Sequence, residues 1–318
     1  MPVIAYFGPA GTFTEMAAKR FVETGAGPLA GVAAGDVSWL SLGSPVAVIE
    51  SVRSGAADIG CVPVESSLEG SVPATMDALV PETEADRVQI FAETVLDIAF
   101  TIAAAQSVAA ADVATIAAYP VAAGQVRASL AALFPNAEVV LASSNAAAAA
   151  DVAAGLADAA VTTPVAAEAN GLTVLAEGVA DSDDAATRFV LLARPGPVPA
   201  RTGKDRTSVI VDLPNRPGSL LAALDEFAAR GIDLTRIESR PRRGSGPRVQ
   251  YRFYIDAVGH LDDAAIGEAL RALHRDVERV VFLGSWPVDG ASGTPPPDHR
   301  ESEAWFAALR GGIAGEAP

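Results

Sequence analysis

Asp183-Asp184-Ala185-Ala186-Thr187-Arg188-Phe189-Val190-Leu191-Leu192 carries a polar loop straight into an apolar run. The run from Phe189 to Ala193 is short and partly aromatic and β-branched, so it reads as a buried strand. Arg188 then stands at a strand end beside Thr187. A guanidinium there needs an anionic partner or water, because burying it unpaired costs several kcal/mol. Two partners fit. One is internal, Asp183 or Asp184; the other is the carboxylate of a bound ligand. Short apolar runs of this kind recur upstream between stretches of helical periodicity, and that alternation is α/β.

With 318 residues the chain has room for two domains, each with its own core. Half of the residues are hydrophobic, but much of that is alanine, and no run is long enough to span a membrane. The start, Met1 to Ala5, has neither a basic n-region nor a cleavage pattern, so a cytoplasmic protein is expected. A single cysteine, Cys61, excludes a disulfide framework and a cysteine-based zinc site. The three histidines, His260, His274 and His299, all lie late in the chain, so the first half holds no histidine metal site and no Ser-His-Asp triad. Charge is uneven: residues 1–195 carry 7 basic and 22 acidic side chains, and residues 196–318 carry 16 and 17. Nucleic acid is an unfavoured partner for either part. An anion bound by the first part must be held locally, by an arginine, hydroxyls and helix N-termini.

In chain order, a strand over 2–7 runs into Gly8-Pro9-Ala10-Gly11-Thr12-Phe13-Thr14-Glu15 and a helix through Ala17, Ala18, Phe21 and Val22, with Thr12 or Thr14 as N-cap. The glycine spacing is not that of a dinucleotide or P-loop fingerprint. A helix over 45–55 turns Val48, Ile49 and Val52 inward, and a strand over 57–64 ends in Glu65-Ser66-Ser67-Leu68-Glu69-Gly70-Ser71-Val72. Polar groups at the carboxyl end of a strand mark where open α/β sheets bind ligands. A helix over 75–79 follows, and residues 88–104 read as one long strand crossing to a second lobe. There the alternation repeats: strands over 116–118, 139–141, 158–162 and 172–175, a helix carrying Gln125, Arg127, Leu130 and Leu133, an alanine-rich helix to Ala154 capped by Ser143-Ser144-Asn145, and a helix over 164–169. Two such lobes leave a cleft between them, which Thr187 and Arg188 should face.

A linker, Pro195-Gly196-Pro197-Val198-Pro199, stops the sheet, and linker composition extends to 205. Residues 206–286 then read as strand, helix, strand, strand, helix, strand: 206–213, the helix through Leu220, Leu221, Leu224 and Phe227 closed by Gly231, 233–240, 248–258, 262–277 and 280–283. The order βαββαβ is a ferredoxin-like fold. A Pro/Gly-rich tail, 287–318, with a short helix around Trp305 and Phe306, receives no role.

The segments 8–15, Val62-Pro63-Val64-Glu65-Ser66-Ser67 and Thr187-Arg188-Phe189 together resemble the prephenate dehydratase catalytic domain. Asn215 to Leu220, with Ile237-Glu238-Ser239-Arg240-Pro241, resembles the ACT domain attached to that enzyme. The resemblance covers roughly residues 2–286. It implies a two-lobed catalytic domain over 1–194, like a type II periplasmic-binding protein, and an ACT domain over 206–286. It also implies decarboxylative dehydration of prephenate without a cofactor or a metal. Thr187 would act at the departing hydroxyl and Arg188 would anchor a carboxylate. The substrate-binding set would include Phe189, Gly11, Thr12, Phe13, Glu65, Ser66, Ser67, Gln125, Ser143, Ser144 and Asn145. Glu65 beside a dianion would repel it, so its expected role is to orient neighbouring donors. L-Phenylalanine would bind between paired ACT domains at Asn215, Gly218, Ser219 and Leu220, meeting Glu238, Ser239, Arg240 and Pro241, in a homodimer or homotetramer. Without that context, Gly218 reads as a plain helix start and Glu238 as a surface partner of Arg236 or Arg240.

Three positions depart from the family's usual pattern. Glu-Asn-Ser is Glu65-Ser66-Ser67 here, Ser-His-Pro-Gln is Ala118-Tyr119-Pro120-Val121 with Gln125 kept, and an asparagine before Thr-Arg-Phe is Asp184. Arogenate therefore stands as an alternative substrate. Two α/β lobes also describe solute-binding proteins, and ACT domains serve as amino-acid sensors, so a binding module without chemistry is the competing reading. Turnover of prephenate separates the two.

Overall fold

The computed structural model describes residues 1–182, 184–242, 250–291 and 293–312. Asp183 and the expected strand start at Arg248 lie outside the described residues. Two compact units are present: Met1–Leu79 with Thr94–Arg194, and Val80–Glu93 with Pro195–Pro318. The segment 80–93, expected within the 1–194 domain, thus clusters with the later residues.

The first lobe of the first unit runs β1 (Val3–Phe7), α1 (Phe13–Glu23), β2 (Ser38–Leu42), α2 (Pro45–Ser54), β3 (Ile59–Ser66), β4 (Gly70–Ser71) and α3 (Pro73–Ala78), and β5 (Gln89–Asp97) belongs to it from Thr94 on. The second lobe runs β6 (Thr101–Ala104), β7 (Thr115–Ala118), α4 (Pro120–Gln125), α5 (Arg127–Leu133), β8 (Glu138–Leu141), α6 (Asn145–Ala153), β9 (Ala159–Thr162), α7 (Pro164–Ala169) and β10 (Thr173–Glu177). The chain then returns to the first lobe as β11 (Ala186–Ala193).

The first sheet has the order β2-β1-β3-β11-β5, with β4 on β3. β1 is parallel to β2 and β3, and β11 is antiparallel to β3. α2 packs on β3 so closely that a Cβ on Gly60 would stand 3.0 Å from both Leu192 Cδ1 and Val48 Cγ1. Only glycine leaves room for the helix there. The second sheet has the order β10-β6-β9-β7-β8, with β7 parallel to β8 and β9 and β6 antiparallel to β9 and β10. Its core joins Phe100, Ile102, Ile116, Val126, Leu130 and Phe134 to a large number of buried alanines.

Three expectations change. The strand drawn over 88–104 is two strands, broken at 98–100, where Ile98 N–H donates to Ala185 O at 2.7 Å and Phe100 meets the Phe13 ring edge-on. The helix carrying Gln125 to Leu133 is also two, because Val126, buried in the core, takes φ −125° and ends α4. β11 starts at Ala186 rather than Phe189, since Thr187 and Arg188 pair across the ladder with Ser66 and Glu65. Cross-strand hydrogen bonds extend the strand past its apolar run.

In the second unit, β12 (Asp205–Asp212), α8 (Ser219–Ala228), β13 (Leu234–Pro241), β14 (Tyr251–Val258), α9 (Ala264–Asp276) and β15 (Arg279–Pro287) form the βαββαβ order, followed by α10 (Arg300–Arg310). The antiparallel sheet has the order β13-β14-β12-β15 and carries α8 and α9 on one face through Val209, Val211, Phe227, Ile255, Ile266 and Leu273. The opposite face is polar and buried. Asp256 accepts from Ser208 Oγ at 2.7 Å and from Arg236 Nε at 2.9 Å. Glu93, from the inserted segment, accepts Trp286 Nε1–H at 3.0 Å and pairs with Arg206 at 3.0 Å. Those buried ion pairs explain why 80–93 belongs with this unit: removing one partner would strand the other charge.

Candidate active site

β1 and β3 end, and β11 begins, at the same edge of the first sheet, because β1 and β3 are parallel and β11 runs against them. At that edge Arg188, 8% exposed, is held by Glu65: Oε2 accepts from Nη2 at 2.9 Å and from Nε at 3.2 Å. Glu65 is thus a partner of its guanidinium, and Asp183, one of the two expected partners, lies outside the described residues. Thr187, its neighbour along β11, stands opposite Ser66. It is half-buried, and among the described residues its hydroxyl has no hydrogen-bond partner. Ser67 clamps the entry to β11: its N–H donates to Ala186 O, its hydroxyl donates to Asp184 O and accepts from Ala186 N–H, all at 2.8–2.9 Å. Ser66 Oγ accepts the N–H groups of Leu68 and Glu69 at 3.3 and 3.4 Å, turning the chain into β4. Phe189 is 2% exposed and lies in the sheet core beneath this edge.

After β1, the N-cap of α1 is Thr12, whose Oγ1 accepts from Glu15 N–H at 3.5 Å and donates toward Pro9 O at 3.0 Å. Gly11 sits at φ +83°, and a Cβ there would stand 3.0 Å from Ala166 Cβ and 3.5 Å from Ala146 Cβ. The loop therefore touches the first turns of α6 and α7 in the other lobe. Phe13 also crosses, with its ring against Phe100 in an edge-on contact at 5.9 Å. In the second lobe Ser144 caps α6, accepting from Ala147 N–H at 2.9 Å. Ser143 is exposed, and Asn145 opens the helix. Asn145 Oδ1 is buried and, among the described residues, unpartnered. Such an acceptor costs about 1–3 kcal/mol unless a donor arrives. The structure brings Gly11, Thr12 and Phe13 together with the start of α6, and Glu65, Ser66 and Ser67 together with Thr187 and Arg188. Gln125 closes α4, and its carbonyl accepts Asp181 N–H at 2.7 Å.

Three residues of this region were not singled out from the sequence: Glu15, Thr162 and Thr163. The Thr12-x-x-Glu15 spacing has the form of a capping box and offered a signal. Glu15 reaches Gly11 N–H at 2.6 Å instead of the N-cap N–H, and pairs with Lys19 at 2.9 Å. Cys61 is fully buried, and burial pushes its thiol well above the usual value, which removes it as a nucleophile at neutral pH. Among the described residues no group of three His, Cys, Asp or Glu side chains could hold a metal ion, and no helix is long and apolar enough to cross a membrane.

In the second unit Asn215, Arg216, Ser219, Leu220, Tyr251 and Phe253 line most of a cavity of about 120 Å³. Gly218 takes φ +85° as the N-cap of α8. On β13 Glu238 is gripped on both sides, by Arg236 Nη1 at 3.2 Å and Arg240 Nη1 at 3.4 Å. Ser239 and Pro241 are exposed on this edge strand of the sheet.

A family model described as prephenate dehydratase matches residues 4–197, and the ACT domain model matches 207–275. The chain belongs to the prephenate dehydratase family. The prephenate dehydratase of Mycolicibacterium vanbaalenii is 53% identical over 316 residues, covering 98% of this chain and 99% of that one. That of Mycobacterium tuberculosis is 52% identical over 309 residues, covering 97% and 94%. The solved structure of prephenate dehydratase from Arthrobacter aurescens in complex with L-Phe is 36% identical, covers 97% of this chain and 99% of its own, and has a TM-score of 0.83. A prephenate dehydratase is a hydro-lyase, so the catalytic reading, the two-lobed α/β fold and the appended ACT domain expected from the motifs all stand.

Proposed function

We propose that the enzyme carries out decarboxylative dehydration of prephenate to phenylpyruvate, with the catalytic machinery in residues 1–194, and that L-phenylalanine controls it through the ACT domain over 206–286. In the reaction the ring carbon–carboxylate bond breaks and carbon dioxide departs. Its electron pair enters the ring, which becomes aromatic as the opposite carbon–oxygen bond breaks, and the departing oxygen leaves as water with one proton taken up. The electrons stay within the substrate, so no redox partner is needed. The observation that carries the reading is a hydroxyl at Thr187 that has no hydrogen-bond partner among the described residues, next to an arginine held by Glu65. Thr187 donates its hydroxyl hydrogen bond to the departing oxygen, and water replenishes the proton. Threonine is a weak acid, so placement matters more than acidity. Arg188 anchors a substrate carboxylate, and Glu65 orients its fork. The N-termini of α1 and α6 add backbone donors for a dianion that the net charge of this unit would otherwise repel.

The test is phenylpyruvate formation from prephenate by the purified chain beside its Thr187→Ala variant. Turnover should fall by about 10²–10⁴-fold in the variant, the range of general-acid assistance, with unchanged melting temperature. Undiminished turnover in folded Thr187→Ala would refute the assignment, and activity on arogenate alone would move the substrate.

For regulation, the phenylalanine ammonium needs an acceptor and its carboxylate needs donors. Glu238 of a neighbouring copy supplies the first, and the α8 start at Asn215, Gly218, Ser219 and Leu220 the second, with Ser239, Arg240 and Pro241 completing the wall. This places the ligand between copies at the exposed β13 edge, in a homodimer or homotetramer acting in the cytoplasm. Glu238→Gln should raise the phenylalanine concentration needed for half-effect by roughly tenfold or more, the loss of one charge-assisted bond. Activity without phenylalanine should stay as it was. An unaltered phenylalanine response counts against the site.

A further inference from the structure

Thr162, the last residue of β9, and Thr163, the extended N-cap of α7 that follows it, are buried completely, and each aims its hydroxyl at the backbone carbonyl of a residue in the candidate site. Thr162 Oγ1 donates to Asn145 O at 2.7 Å, and Thr163 Oγ1 donates to Gly11 O at 2.8 Å. Successive side chains on a strand point to opposite faces, so one dipeptide reaches two loops: its own lobe's α6 start and the glycine loop of the other lobe. The Gly11 peptide is clasped from its other end as well, since its N–H donates to the Glu15 carboxylate at 2.6 Å. Gly11 takes φ +83°, and a Cβ there would stand 3.0 Å from Ala166 Cβ, so only glycine fits this clasp.

We infer that Thr162 and Thr163 are positioning residues of the active site: they set the Asn145 and Gly11 peptides, and through them the helix starts that receive the substrate. This rests on the reading above, that the Gly11 loop and Asn145 bind the substrate. The physical reason lies in the cleft between the lobes. A substrate held by groups from two lobes reacts only when those groups are in register, and a displacement of about 1 Å can cost about 100-fold in rate. Van der Waals contact between alanines leaves such a register loose. Two short hydrogen bonds from fully buried hydroxyl residues, one of the bonds itself buried, define it.

The variants Thr162→Val and Thr163→Val remove each hydroxyl at nearly constant volume, and Thr162→Ser and Thr163→Ser restore it. Thr163 Oγ1 also caps α7 by accepting Ala166 N–H at 3.0 Å, whereas Thr162 has no such second duty, so Thr162 is the cleaner pair. Val161→Ala, one residue earlier on β9 in the core, is the control for lost stability alone. Steady-state kinetics on prephenate, well below each variant's melting temperature, should show kcat lowered by about 10- to 100-fold in both valine variants, the range expected for misplaced groups. KM should change less than kcat, the serine variants should recover most of the rate, and Val161→Ala should melt earlier with its kcat intact. Valine variants that melt earlier but turn over like Val161→Ala overturn the inference, and so does failure of serine to recover the rate. Failure of both valine variants to fold overturns it too, because the hydroxyls would then serve the fold and not the site. If the unaltered chain shows no turnover of prephenate, the reading of the site fails first, and this inference with it.

Discussion

The two lobes of the catalytic unit have the same plan, a mixed sheet with parallel strands at its centre and an antiparallel return, yet they are filled with different material. The first is packed by large side chains, including Phe21, Ile49, Met76 and Leu191, all under 2% exposed. The second relies on alanine: Ala103, Ala117, Ala148, Ala149, Ala159 and Ala160 are each buried completely or nearly so. Large side chains interlock and hold a sheet edge rigid, which suits the lobe that carries Thr187 and Arg188. Small ones let helices approach the sheet and the other lobe closely. That is how Gly11 sits so near α7 that a Cβ on it would stand 3.0 Å from Ala166 Cβ. The difference teaches that one lobe holds Thr187 and Arg188 on a tightly packed edge, while the other brings helix starts to close range and places them by hydrogen bonds.

The sharpest way to break this comparison is to delete volume in the first lobe. Ile49→Ala, on the inner face of α2, should cost about 2–5 kcal/mol, the range for a buried large-to-small change, read as a lower denaturant midpoint with an unchanged slope. A loss under 1 kcal/mol would mean that the lobe is not tightly interlocked. The reverse change sharpens the contrast. Ala148→Val, on α6 against Ala117, Val152 and Ala160, should overpack the second lobe and cost about 1–3 kcal/mol. It should also disturb the Asn145 end of the same helix, raising KM for prephenate.

The smallest effect concerns a cap. Asp181 accepts from the backbone N–H groups of Ala128 and Ser129 at 2.8 and 2.9 Å, opening α5. Burial works against its charge, but the donors at Ala128, Ser129 and Arg127 outweigh it and hold the carboxyl below its ordinary 3.8. A lowered folded value stabilises the protein above the unfolded value, and that contribution is lost as the pH falls through the folded one. Asp181→Asn should therefore lower the stability slightly at pH 7, by no more than about 1 kcal/mol for so exposed a group. The gap to the unaltered chain should close below pH 3.8. A gap that persists in acid would assign the effect to shape rather than charge.

Much of the architecture was legible in the residues. Gly55 and Gly231 marked helix ends, Ser144 sat where a cap is needed, and the apolar period of α2 gave its inner face, whereas Leu221 on α8 proved exposed. The breaks were less legible. Nothing local in Val95 to Ile102 announces that one apolar run is two strands, because the break follows from a hydrogen bond to Ala185 and a ring contact with Phe13, both distant in sequence. The Glu65 partner of Arg188 was missed for the same reason: it is opposite in the ladder but 123 residues away in the chain.

What the sequence determined by itself is the order of the layers, two α/β lobes followed by βαββαβ, because period and caps are local properties of the chain, while the motif residues Thr187, Arg188, Glu65 and Gly218 were marked as a set by the family resemblance. Only the tertiary structure decided which charge meets which, that Val80–Glu93 joins the later unit through Glu93, and that Thr162 and Thr163 reach the carbonyls of Asn145 and Gly11. Those are pairings across more than 15 residues, and their identity depends on strand order and register, which no short window of sequence contains.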